Sequence, residues 1–534
     1  MDGSPGGLVT MGGSGGKRVP GGLGAPGAVE ARGASRGVPW GDVLLASVAS
    51  VSWALVGMAG VAALGLHLLG ADAAGALGPM TAAVVVLGAG GSVTPSGDVS
   101  AFGLTGAQAT TAVEITPLGV SLAGALLLAF FFLRSLRSAG AVLPGAELAA
   151  RAGGVVVLFV GVVAGLAWAG HDLVTIDGSS LGLGAGKSPG SGKVSIPGLG
   201  DLGDIGDIGD IGGIGGLLPD RLGRLADAKA QVGFTVNRTD SLVGAVFWAL
   251  GVVLVALLAS RRSPLPRGWE WLHRAVRPAA SALVAVALLA VVAGLAAAAY
   301  AMAGDGHPGR VAGAALLGAP NGVWLAFPLG LLVPWNGHAT GALAKVLPDP
   351  LDKLLAFKDD QRVSVGRLAE LDGRVWLLAV AMGVVMVYAG VLAAARTPVR
   401  GRSAGVFAGW CALSLGAVTA VALPLMVWLT GVSADASLSV LGFDAFGAGV
   451  ELHGSAGLAV VLGTGWGALA GALGGLVAYG VGAAGRRVSG VAGWGGVGSG
   501  GGGPSAEEVY GRAGPYAPSP VYRQGEGNPY LRDE

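Results

Sequence analysis

Residues 77–100 read LGPMTAAVVVLGAGGSVTPSGDVS. The run is apolar for about 14 residues, short of the ~20 that a membrane-crossing helix needs. Glycines interrupt it, and a polar turn containing Pro95 follows. A second stretch, LGAPNGVWLAFPLGLLVPWNGHAT at 317–340, echoes it. In each, Leu-Gly is followed sixteen residues later by Val (Val93, Val333) and four residues further on by Gly (Gly97, Gly337), an offset of 240 residues. Two such segments, near 77–90 and near 312–334, are expected to be re-entrant or half-spanning pieces at matching positions of two halves.

Composition places the rest of the chain in a bilayer. Apolar residues make up 52% of the 534 residues and charged residues 12%, about half the charged share of a soluble domain. Uncharged apolar runs predict an all-α, polytopic membrane protein with about eight spans, within a range of eight to ten. The first half, 41–170, holds spans near 43–66, 117–133 and 153–170 and is closed by a span at 242–260. The second half, 278–487, holds spans near 278–303, 375–395, 404–432 and 455–485. Residues 1–40 and 488–534 are Gly-rich and, at the carboxyl end, Pro- and Tyr-rich; they read as disordered tails. No stretch in 1–40 has the apolar core of a signal peptide.

Between the halves lie a Gly/Asp-rich linker, 171–241, and a basic loop, 261–277. The linker carries GDLGDIGDIGDIGGIGG at 200–216. Its three-residue period lacks the proline of collagen and does not fit the nonapeptide calcium pattern. It reads as an acidic spacer. After it, Leu218, Leu222 and Leu225 share a helical face beside Arg221 and Arg224, the pattern of a short amphipathic helix on a membrane surface.

Sidedness follows from Lys and Arg in short loops. Arginines close the spans at 134–137, 261–262, 396–402 and 486–487. With both termini in the cytoplasm these fall inside, provided that each short apolar segment enters and leaves from the outer face. A single crossing by either would invert the pattern. Each half then has the same order and the same orientation, as two parallel repeats related by an axis along the membrane normal. The expected location is the cytoplasmic membrane of the cell.

The span interiors and both short segments lack Asp, Glu, Lys, Arg and His in this reading. That speaks against a proton relay through a buried carboxylate and against a voltage sensor. Interrupted helices expose backbone groups, which carriers and channels use. The candidate lining residues are Ser92, Thr94, Ser96, Asn321, Gly322, Trp324 and Asn336. No catalytic, cofactor-binding or metal-ligating residue is assigned. Gly186-Lys187-Ser188 lacks the upstream glycine of a phosphate-binding loop, and the histidines show no i,i+4 pair. Net charge is +1, so nucleic acid is not an expected partner. The expected partners are the lipid bilayer and a cytoplasmic protein docking on the Tyr-containing tail.

LPDRLGRLADAKAQVGFTV (218–236), ASRRSPLPRGWEWLHRAVRPAASALV (259–284) and the closing NPYLR (528–532) resemble the streptophobe family. That resemblance implies a very hydrophobic, multi-span membrane protein of actinobacteria. It brings no assigned activity and no functional residues. The expectation is therefore a non-enzymatic membrane structural or interaction protein, with a transporter or channel built on the two re-entrant segments as the alternative.

Overall fold

The structure is a computed structural model. It describes residues 38–73, 75–98, 107–139, 144–169, 172–177, 195–196, 200–201, 229–261, 270–339, 361–440 and 443–486. Both tails, the amphipathic stretch at 218–228 and most of the linker lie outside the described residues.

The first half runs α1 (Trp40–Leu69), α2 (Leu77–Gly88), β1 (Ser92–Asp98), β2 (Ala107–Glu114), α3 (Leu118–Ser138), α4 (Gly145–Ala169), β3 (Asp172–Asp177), β4 (Lys229–Asn237) and α5 (Arg238–Ala259). A short α6 (Glu270–Ala275) leads to the second half. There the order is α7 (Arg277–Met302), α8 (Pro308–Gly330), β5 (Trp335–Ala339), β6 (Gln361–Val363), α9 (Val365–Leu371), α10 (Trp376–Arg396), α11 (Ala404–Leu429), β7 (Val432–Val440), β8 (Phe443–Gly454) and α12 (Ala456–Gly480). Nine of the described helices are long and apolar enough to cross a membrane. The chain is an integral membrane protein of helical build.

The helices pack through small residues and turn bulky apolar ones outward. Along α12 the buried positions are Ala459, Gly463, Gly467, Ala470, Gly471, Gly474, Gly475 and Ala478, while Leu469, Leu473 and Val477 are exposed. A Cβ on Gly474 would lie 2.7 Å from Gly390 Cα of α10, and one on Gly471 would lie 2.9 Å from Ala412 Cα of α11. Lipid tails are as apolar as leucine, so close backbone approach is the packing force available here. Several exposed tryptophans stand near helix ends, although Trp53 is exposed in the middle of α1. Trp168, Trp376 and Trp428 lie at helix ends on one side, and Trp40 and Trp271 lie on the other. Along α11, Trp410 and Trp428 stand about 27 Å apart at ~1.5 Å per residue, close to the ~30 Å of a hydrocarbon core.

One side of the bundle carries an eight-stranded antiparallel sheet, order β3-β4-β1-β2-β7-β8-β5-β6. By sequence alone these segments read as loops and linker, because most strands are Gly-, Ser- and Ala-rich and alternate weakly. Their order within the first half, 3-4-1-2, recurs in the second as 7-8-5-6. The seam pairs β2 with β7, from Ala107↔Val440 to Glu114↔Ser433. Every strand lies within a few residues of a helix end, so all those ends share one face, here the sheet face.

The two short segments now separate in length. α2 is a 12-residue helix, as expected of a dip. The second, expected over 312–334, is corrected to a continuous 23-residue helix from Pro308 to Gly330. It has the length to cross, yet both its ends lie on the sheet side. Its start abuts the last turn of α1: a Cβ on Gly313 would lie 2.7 Å from Gly65 O and 3.0 Å from Leu69 Cγ. Its end feeds β5. Between them it passes beside the start of α3, at Thr116 and Leu118. Its 23 residues therefore run obliquely, from the end of α1 past the start of α3 to β5, rather than from one face of the bundle to the other.

Two further boundaries shift. α4 begins at Gly145, not near 153, because Arg151 lies inside it, buried and paired with Glu147 (Nη2 to Oε1 2.9 Å, Nε to Oε1 3.1 Å). The pair satisfies itself within the first two turns, so the helix extends through it. Residues 229–241, expected as linker, form β4 and the first turn of α5. Asn237 caps that helix by accepting from Asp240 N.

Candidate functional site: a groove between the halves

The tips of α2 and α8 share one geometry. Gly91 N donates to Val86 O (2.9 Å) and Gly90 N to Leu87 O (3.0 Å); Val333 N donates to Pro328 O (3.0 Å) and Leu332 N to Leu329 O (2.9 Å). Both are Schellman turns, and the left-handed residue is Gly90 (φ 83°) in one and Leu332 (φ 68°) in the other. Each atom of the second tip stands 242 residues after its counterpart, as Leu332 does after Gly90. The offset of 240 taken from Val93 and Val333 is therefore two residues out of register; Val93 corresponds to Trp335.

The return strands carry the same relationship on to the caps of α5 and α12. Ser92 pairs with Asn237, the cap of α5, and Pro334 O accepts from Ser455 N, at the cap of α12. Eleven residues beyond each cap stands a tryptophan. Trp248 Nε1 donates to Ser121 Oγ (2.7 Å), and Trp466 Nε1 donates to Leu331 O at the second tip (3.1 Å). The tips thus lie about 10–16 Å below the sheet-side helix ends, at ~1.5 Å per residue.

Between the halves lies a cavity of about 1990 Å³. Its walls come from α3 and α5 of the first half and from α7, α8 and α11 of the second. Leu122, Leu126, Val252, Val255, Leu283 and Leu425 give the wall its apolar character. Polar groups gather at the ends. At the sheet end, Asp240 Oδ2 accepts from Ser92 Oγ (3.0 Å) and from Asn237 Nδ2 (2.6 Å). At the opposite end, Arg137 and Arg261 reach the lining from the last turn of α3 and from just beyond α5. The groove therefore runs the length of α5, about 33 Å for its 22 residues,.

The sequence-derived lining residues divide. Ser92 and Trp324 line the groove. Trp324 Nε1 is buried there with no acceptor among the described residues. Asn321 does not face the groove: its carboxamide accepts from Leu118 N (2.9 Å) and donates to Thr116 O (2.7 Å). Gly322 is exposed on α8. Thr94, Ser96 and Asn336 sit in strands, where Thr94 O accepts from Thr235 Oγ1 (3.4 Å), Ser96 pairs with Gly233 and Thr110, and Asn336 pairs with His453 and Arg362. The groove residues that sequence reasoning missed are Arg137, Asp240, Trp248 and Arg261. Only Trp248 carried a signal, through its correspondence to Trp466.

The face opposite the sheet is basic. Arg400 has its pKa lowered by partial desolvation and then by the neighbouring charges of Arg274 and Arg402. Arg402 also lies over the Trp410 ring, 5.0 Å from its centroid. Among the described residues no group of three or more His, Cys, Asp or Glu side chains is placed to hold a metal ion.

Compared with known proteins, the chain matches no family model, no curated protein and no solved structure.

Proposed function

We propose that this protein binds a hydrophobic, lipid-like molecule in the groove between its halves and acts as a non-enzymatic membrane structural or interaction protein. The groove carries this reading: its walls are mainly apolar over a bilayer's thickness and its charged groups sit at the two ends. Small-molecule sites are concave, mainly apolar and furnished with a few placed polar groups; Trp324 Nε1, buried with no acceptor among the described residues, is one such group. The proposal places the protein in the cytoplasmic membrane, with both termini and the arginine-rich face in the cytoplasm and the sheet outside. Resemblance to the streptophobe family agrees with a very hydrophobic, multi-span membrane protein.

A second reading, transport through the groove, draws on the two equivalent re-entrant tips. Paired interrupted segments in matching halves are a recurrent carrier design, and Gly90 and Gly91 of the first tip line the groove.

The test is photocrosslinking of the reconstituted full chain with a diazirine-bearing fatty acid. Label concentrated on α3 and α5, and lost in the groove-filling variant Ala125→Trp/Val252→Trp, is the expected result. Label spread evenly over outward-facing residues such as Leu413 and Val421, and unchanged by filling, would overturn the proposal.

A further inference from the structure

We infer that the groove selects an anionic phospholipid and holds its headgroup at the Arg137/Arg261 end. This rests on the groove being a lipid site, and it adds the class of lipid and its orientation. The groove is electrically polar along its length. One end carries two guanidinium groups, and the other carries the carboxylate of Asp240. An anionic head is attracted to the first and repelled from the second, whereas a zwitterionic head gains little from either.

Arginine suits the task, since its planar fork matches phosphate oxygens and is only weakly hydrated. The end in question is also the boundary marked by Trp271 of α6, exposed beside the basic cluster of Arg274, Arg400 and Arg402. Headgroups therefore already lie at that level. The apolar wall above it, from Leu133 and Ala256 to Leu126 and Val252, takes the acyl chains. A lipid so placed enters sideways from one leaflet and need not cross the bilayer to be bound.

The experiment is native mass spectrometry of the full-length protein after exchange into mixed micelles holding equal amounts of phosphatidylglycerol and phosphatidylcholine. The wild type is expected to retain phosphatidylglycerol over phosphatidylcholine by at least about tenfold. Arg137→Gln/Arg261→Gln is expected to abolish the preference while still retaining lipid. Arg134→Gln, one turn away and outside the groove, is expected to keep the preference and serves as the folding control. Ala125→Trp/Val252→Trp is expected to retain neither lipid. Retention of both lipids equally by the wild type, with loss on filling, would overturn the headgroup assignment and leave the lipid site standing. Retention unaffected by filling would overturn both.

Discussion

Asn321 of α8 caps the start of α3: its Oδ1 accepts from Leu118 N at 2.9 Å while its Nδ2 donates to Thr116 O at 2.7 Å. Leu118 N is one of the four orphan donors of that helix's first turn, and Pro117 offers no side-chain cap. One carboxamide from the second half thereby satisfies two backbone groups of the first. Asn321→Ala should lower stability by about 1–3 kcal/mol, the cost of leaving two partly buried polar groups unmatched. Thermal unfolding in detergent measures it. A lining role would instead change ligand retention and leave the melting temperature where it is.

The two tips give an asymmetric pair of substitutions. Leu332 adopts a left-handed conformation that costs a non-glycine residue roughly 1–2 kcal/mol, and its side chain is 44% exposed. Leu332→Gly should therefore stabilise the protein by about 1 kcal/mol, with the gain reduced by lost apolar contact. Gly90→Leu should destabilise it by more than that, because any side chain is strained in the same backbone conformation (φ 83°) and a Cβ already in van der Waals contact with the Gly244 backbone, at 3.4 Å, leaves the rest of the leucine to fit against α5. Equal and opposite shifts in melting temperature would count against this account.

How much of this was legible depended on the kind of signal. Long apolar runs showed the spans, because bilayer thickness fixes their length. The duplication was legible at 77–100 and 317–340 but two residues out of register. The register is set by hydrogen bonds accepted by the carbonyls of Val86 and Leu87 in one tip and of Pro328 and Leu329 in the other, and the second tip uses Leu332 where the first uses Gly90. A glycine-based alignment cannot find that correspondence. The sheet was hidden for a similar reason: β8, FDAFGAGVELHG, has too little alternation to read as a strand. Nor could the groove be seen, since its walls are ordinary span residues and one of its ends combines Arg137 and Arg261 across 124 positions of sequence.

Glycines on one helix should differ sharply in tolerance. Gly474 of α12 faces Gly390 of α10, and a side chain there meets backbone that cannot step aside. Gly465, on the other face, has nothing within 4 Å of a Cβ. Gly474→Leu should abolish the folded protein, whereas Gly465→Leu should leave it intact or improve it slightly through helix propensity. Yield of monodisperse protein on size-exclusion chromatography reports the difference. Two equally damaged variants would mean that α12 packs differently.

The path of α8 decides the architecture, and three exposed positions test it. Asp72 follows α1, Asp305 precedes α8, and His453 precedes α12. If α8 runs obliquely and returns, all three lie on the sheet side. If it crosses, Asp305 lies on the other side from His453. In a Cys411→Ala background, single cysteines at these positions and at Arg400 should react differently with an impermeant maleimide added to intact cells. Labelling of Asp72→Cys, Asp305→Cys and His453→Cys, with Arg400→Cys protected until the cells are opened, is the expected pattern. It would also place the arginine-rich face inside, as the positive-inside rule requires. Labelling of Asp72→Cys, Asp305→Cys and Arg400→Cys with protection of His453→Cys would make α8 a ninth crossing. The two halves would then no longer share an orientation, even though their tips match bond for bond.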